Sequence, residues 1–105
     1  MSDESVILVN LLKVKPANQA ALIALLKQNT ETVVRTLRGW KSTRLIAAGD
    51  GGAVVIYSEW DTLAAIEAMR GDQRMQAYLP KLMQLATLDS VVGSTVLSET
   101  RSQRS

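Results

Sequence analysis

The order of periodic segments along the chain predicts an α+β domain of the ferredoxin-like, split βαβ kind. That is a four-stranded antiparallel sheet with helices on one face. Three observations predict it. Short β-branched apolar runs open the chain and recur in its middle. Between them lies a stretch of helical period. A glycine-rich turn joins two of the strand-like runs, and two further helical segments precede the last one, giving β-α-β-β-α-α-β.

Residues 5–14 read Ser-Val-Ile-Leu-Val-Asn-Leu-Leu-Lys-Val. This first strand is apolar on both parities, as expected of a strand covered on both faces. Pro16 ends it and suits a helix start, with Asn18 as a cap. Over residues 17–37, Leu22, Leu25, Leu26, Asn29, Val33 and Leu37 share one side of a helical wheel, and Lys27, Glu31, Arg35 and Arg38 the other. Lys27–Glu31 and Glu31–Arg35 are opposite charges four apart, worth about 0.3 kcal/mol each. Gly39 is the expected stop.

Residues 40–48 form the second expected strand, and residues 53–60 the third. Gly49-Asp50-Gly51-Gly52 is the hairpin turn between them. It lacks the Gly-Lys-Ser/Thr ending of a phosphate loop. Asp61 or Thr62 caps a helix to about Arg70, and Gly71 stops it. Asp72 caps another, with an apolar face of Met75, Tyr78, Leu79, Leu82 and Leu85; Pro80 is expected to bend or restart it. Residues 90–97 are the expected fourth strand. The whole reads as one domain over residues 1–98 with a polar tail at 99–105. Trp40 is expected to pack beneath the first helix.

Composition limits the chemistry. The 105 residues include no Cys, no His and no Phe. Disulfides, thiolate zinc sites, cysteine nucleophiles, histidine-ligated metals and Ser-His machinery are excluded. Any chemistry proceeds without the side chain that titrates nearest neutral pH. The net charge is +2, and two cations, Arg101 and Arg104, sit in the tail. No cluster of cations with interleaved aromatics suggests a nucleic-acid surface. The apolar runs fall far short of the ~20 residues of a membrane helix. The acidic Met1-Ser2-Asp3-Glu4 lacks the basic region of a secretory signal, so the expected compartment is the cytoplasm.

Helices can cover only one face of the sheet. Yet Val6, Leu8 and Leu12 lie on one parity of the first strand, and Ile7, Val9 and Leu11 on the other. A second sheet from an identical subunit would cover the open face, so a homodimer with facing sheets is expected.

The hairpin and its flanks carry a further pattern. Asp50-Gly51-Gly52-Ala53-Val54-Val55-Ile56-Tyr57-Ser58-Glu59-Trp60 resembles the antibiotic biosynthesis monooxygenase family. So do Ile66-Glu67-Ala68-Met69-Arg70 with Asp72-Gln73-Arg74-Met75, the opening strand with Asn10, Lys15-Pro16, and Leu37-Arg38-Gly39-Trp40. The resemblance covers roughly residues 5–98. It implies a dimeric α+β barrel. It also implies oxidation of a polyphenolic, polyketide-like substrate to a quinone by O2, with no metal, flavin or haem. Relatives on this fold degrade haem or isomerise small molecules, so fold alone does not decide function.

Asn10 is the one amide in an apolar strand and needs a hydrogen-bond partner. Its structural role would be to bond a neighbouring backbone group. Its functional role would be to orient a substrate oxygen, and the resemblance supports that. Trp60 either seals the sheet end or stacks on a planar substrate while its N–H donates a hydrogen bond. The resemblance puts a Trp at this place in quinone-forming members. Some of them carry Asn four residues earlier, where this chain has Ile56. Asn10 and Trp60 are thus the expected catalytic residues. Arg74 and Tyr78, four apart, are the expected substrate-binding pair: a cation for a phenolate, with a phenol beside it. Arg70 shares that spacing, but Gly71 is expected to break the helix between them.

The first functional expectation is a cofactor-free monooxygenase acting on a planar phenol or hydroquinone. The alternative is a non-catalytic module of the same fold that carries a small aromatic ligand, favoured by the missing His and by Ile56. Haem degradation is disfavoured, since the iron-ligating His implied by that branch is absent.

Overall fold

The computed structural model describes residues 5–101 of the chain. The start, 1–4, and the end of the expected tail, 102–105 with Arg104, lie outside the described residues. The elements run β1 (Val6–Val14), α1 (Gln19–Thr32), β2 (Trp40–Ala47), β3 (Ala53–Trp60), α2 (Leu63–Gly71), α3 (Gln73–Met83) and β4 (Ala86–Gly93). The sheet is antiparallel, in the order β2-β3-β1-β4. This is the ferredoxin-like arrangement that the sequence predicts.

Four segments differ from their expected bounds or packing, each for a physical reason. The helix expected over 17–37 is shorter. Pro16–Asn18 forms a 3-10 turn, α1 stops at Thr32, and a second 3-10 turn spans Val34–Thr36. The end of this stretch is β-branched, with Thr30, Thr32, Val33, Val34 and Thr36. Such side chains lose rotamer freedom in a helix. Thr32 Oγ1 donates to the Gln28 carbonyl (2.7 Å) and Thr36 Oγ1 to the Val33 carbonyl (2.6 Å). These bonds compete with helical ones.

The fourth strand spans Ala86–Gly93 rather than 90–97. Its register on β1 decides this: Val14 faces Ala86, and Ile7 faces Gly93. The strand therefore spans the pairing with β1 from Val14 back to Ile7. Val96 and Leu97, which made 90–97 look strand-like, lie exposed beyond it.

Pro80 sits inside α3 without ending it. Pro80 and Gln76 are both exposed, so water can serve the carbonyl that Pro80 has no N–H to reach. Trp40 is not beneath α1. It packs against the cluster of Leu8, Trp60, Ile66 and Met69, and its Nε1 donates to Thr43 Oγ1 at 2.8 Å.

The expected caps of the last two helices are present. The Thr62 side chain accepts from the Ala65 N–H, and Asp72 accepts from Arg74 and Met75. Gly39 has φ +88°, and a Cβ there would lie 2.6 Å from the Ala65 Cβ. Only glycine allows both that backbone and so close an approach to α2.

Alternate residues divide the sheet into two faces. Val6, Leu8, Asn10, Leu12 and Val14 turn toward the helices with Val54, Ile56, Ser58 and Trp60 of β3. Two clusters form there. One joins Leu12, Leu22, Leu26, Val54 and Leu82; the other joins Leu8, Val34, Trp60, Ile66 and Met69. Asn10 lies between Leu12 and Leu8, where the two clusters part.

Candidate functional site

A cavity of about 280 Å³ opens between the sheet and the helices, and residues of both core clusters line it. That is close to the lower end of the ~300–1,000 Å³ typical of small-molecule pockets. Leu8, Leu26, Ile56, Leu82 and Leu88 supply much of its apolar wall. Its polar groups come from all four strands and all three helices.

Asn10 enters from the middle of β1, where it faces Ile56 on β3 and Ser90 on β4. Ser90 Oγ donates to Asn10 Oδ1, and both residues line the cavity. Asn10 therefore has its partner in a side chain rather than in a backbone group.

Trp60 lines the same cavity from the end of β3 and is 1% exposed. Its Nε1–H donates to Ser58 Oγ at 3.1 Å, and Ser58 Oγ donates to the Leu8 carbonyl at 3.3 Å. This buried relay pins the ring. It also occupies the indole N–H within the protein, so Trp60 offers the cavity a wall rather than the donor expected from sequence.

Tyr78, on α3, also reaches the cavity. Burial pushes its phenol well above the ordinary value, so it is a protonated donor at neutral pH.

Arg74 does not line this cavity. Its side chain is 53% exposed and curls back to Asp72, with Nε 3.3 Å from Oδ1, and its Nη2 donates to Thr36 Oγ1 at 3.3 Å. This contact holds the Asp72 carboxyl below its usual range. Arg74 and Tyr78 meet instead around a smaller groove of about 150 Å³ between α1 and α3. The cation that lines the main cavity is Arg70, at the end of α2. The chain is extended at Asp72, so Arg70 and Arg74 belong to separate helices.

Sequence reasoning missed Asn29 and Ser90. Asn29 is buried on α1, lines the cavity, and donates through Nδ2 to Met75 Sδ at 3.3 Å. Its signal was visible: an amide on the apolar side of a helical wheel needs a reason. Ser90 had no such signal, because its partner is 80 residues away.

Among the described residues, no group of three or more His, Cys, Asp or Glu is arranged to hold a metal ion. Among the same residues, no helix is long and apolar enough to cross a membrane.

A sequence profile described as antibiotic biosynthesis monooxygenase matches residues 5–81. The chain belongs to this family. A curated relative, the tetracenomycin-F1 monooxygenase of Streptomyces glaucescens, is 37% identical over 71 residues, 68% of this chain. The match spans 63% of that relative's own length. Among solved structures, the ActVA-Orf6 monooxygenase of Streptomyces coelicolor, in complex with nanaomycin D, superposes with a TM-score of 0.82. It is 24% identical, and 95% of each chain is covered. SnoaB of Streptomyces nogalater, a cofactor-independent oxygenase solved as a point mutant, gives a TM-score of 0.73 at 18% identity, covering 92% of this chain and 97% of its own. At these identities the structural likeness establishes the shared fold of the family, and the chemistry must be argued from the cavity.

Proposed function

We propose that this protein is a cofactor-independent monooxygenase that oxidises a planar phenol or hydroquinone to a quinone with O2. The observation that carries the reading is that Asn10, Trp60 and Tyr78 all open onto one largely apolar cavity. Its relationship to a tetracenomycin-F1 monooxygenase supports the reaction class.

In this reading the substrate ring lies against the apolar wall and the pinned Trp60. Asn10 and Tyr78 donate to ring oxygens. Loss of a substrate proton leaves a delocalised anion, which passes one electron to O2. The substrate radical and superoxide then combine, forming a C–O bond. Where the reacting carbon is a methylene, protonation of the peroxide and loss of water leave a carbonyl. The methylene and one molecule of oxygen thus become a carbonyl and one molecule of water. The protein's contribution is to bind the ring, favour its anion and exclude water.

Arg70 and Tyr78 are the titratable groups of the cavity lining. Neither suits a base: one is a guanidinium, and burial keeps the other protonated. The proton therefore leaves through the substrate's own acidity, and Arg70 stabilises the resulting charge. Arg74, expected from sequence to do this, acts at most on a substituent reaching the smaller groove. We also propose a homodimer through the open sheet face, with no nucleic-acid partner.

Oxygen uptake with an anthrone or a naphthalenediol tests the reading. Uptake above buffer that falls in Asn10→Ala and Trp60→Phe is expected. The pH midpoint should follow the substrate and stay in place in Tyr78→Phe. The lack of a carboxylate or imidazole in the lining favours a second reading, a ligand-binding protein without turnover. Trp fluorescence quenched by ligand with no oxygen consumed would establish it.

A further inference from the structure

We infer that Ser90 is a positioning residue: its hydroxyl holds the Asn10 amide with the N–H end toward the cavity, so that the site favours an oxygen that accepts a hydrogen bond. The inference rests on reading the cavity as a phenol site.

An asparagine amide has a donor end and an acceptor end of nearly equal size, and its terminal torsion is broad and roughly two-fold. A hydrogen bond to one end leaves the other end to face a ligand. Around Asn10 the choice is narrow. Along its own strand the same-face neighbours are Leu8 and Leu12. Across the sheet on β3 it faces Ile56. None of these can bond an amide. Across the sheet on β4 it faces Ser90, and Ser90 Oγ donates to Asn10 Oδ1. Directly paired residues on antiparallel strands have Cβ atoms about 5 Å apart, within reach of short polar side chains. With Oδ1 taken, the two Nδ2 hydrogens are what Asn10 can present, and no side chain or carbonyl among the described residues accepts them.

The consequence is chemical. A phenolate or carbonyl oxygen accepts from Nδ2–H, whereas a neutral hydroxyl must turn a lone pair toward it and find another acceptor for its own proton. An amide held the other way would present Oδ1 and favour the neutral phenol. In the orientation that the Ser90 bond holds, the amide therefore favours the ionised oxygen. This matters in a lining whose own titratable groups supply no base. Ser90 is an exposed strand residue, so substituting it leaves the two core clusters intact.

The test is spectroscopic and needs no turnover. A dihydroxyanthraquinone, whose colour reports phenol ionisation, is bound to the whole protein and titrated. Ser90→Thr keeps the hydroxyl; Ser90→Val has the same shape without it. Wild type and S90T should ionise the bound dye at lower pH than the free dye. S90V and N10A should weaken that ionisation by about threefold to tenfold, the size of one hydrogen bond. The S90V/N10A double variant should match N10A alone. Equal titrations for S90T and S90V overturn the inference, as does a dye that ionises more easily in S90V. Additive losses in the double variant overturn it too. A wild-type protein that does not bind the dye overturns the phenol-site reading itself, a separate result.

Discussion

Alternate residues of the same four strands build two unlike faces. Toward the helices, Leu8 and Leu12 are buried, and the row between them, Ile56–Asn10–Ser90, lines the cavity together with Leu8 and Leu88. On the other face, Val9 and Leu11 stand half-buried beside Val55 and Tyr57, and Ile7 is buried. Ile46 and Val91 there are 47% and 66% exposed. One face buries its apolar side chains within the chain and leaves a polar gap among them. The other offers an apolar surface to water. The difference teaches that hydrophobicity alone does not say which face is the core. The chain's own helices decide that, and the open face is suited to a second copy.

This comparison can be broken in four ways. The largest effect is expected at the fully buried Leu12, which does not line the cavity. Leu12→Ala should destabilise the domain by about 3 kcal/mol, within the range for a fully buried leucine, and chemical denaturation measures it. Leu11→Ala on the open face should cost well under that in the monomer.

Next comes the open face itself. Val9→Lys should lower self-association by at least about tenfold in sedimentation, because a buried unpaired charge is costly. A wild type that sediments as a monomer at micromolar concentration would break the symmetry argument.

Third, Asn10→Ala should leave the melting temperature nearly unchanged while oxygen uptake falls about tenfold, the scale of one or two hydrogen bonds. A large loss of stability instead would make Asn10 a packing residue.

The smallest effect lies outside both faces, at the Asp72 cap. Its folded pKa lies below its unfolded value, chiefly through Arg74. Its contribution is thus present above the ordinary carboxylate range and lost as pH falls through the folded value. Asp72→Asn keeps an acceptor for the α3 N–H groups but should flatten the acid limb of the melting curve. Asp72→Ala should lower the melting temperature modestly at neutral pH as well.

Much of this was legible in the chain. The apolar parities of residues 6–14, the Gly-rich turn and the caps Thr62 and Asp72 are local patterns, and each appears where expected. Asn10 and Trp60 stood out because an amide in an apolar strand and a tryptophan at a strand end need reasons. They do line one cavity. Arg74 and Arg70 were harder. Both sit four residues from a plausible neighbour, and only the extended backbone at Asp72 separates their helices. The fourth strand was misplaced because Val96-Leu97 is as β-prone as Ala86-Thr87, so local preference could not choose between them.

Sequence by itself determined the order of elements, the two-sided apolarity of the first strand and the chemistry that zero Cys and zero His exclude. These depend on period, on composition and on contacts a few residues apart. The tertiary structure alone decided where β4 begins, which arginine meets the cavity, what the Trp60 N–H bonds to, and that Ser90 partners Asn10. Each of these depends on strand register or on how one helix ends against another. Register is set by pairing between distant segments, and a shift of one residue turns every side chain of a strand to the opposite face.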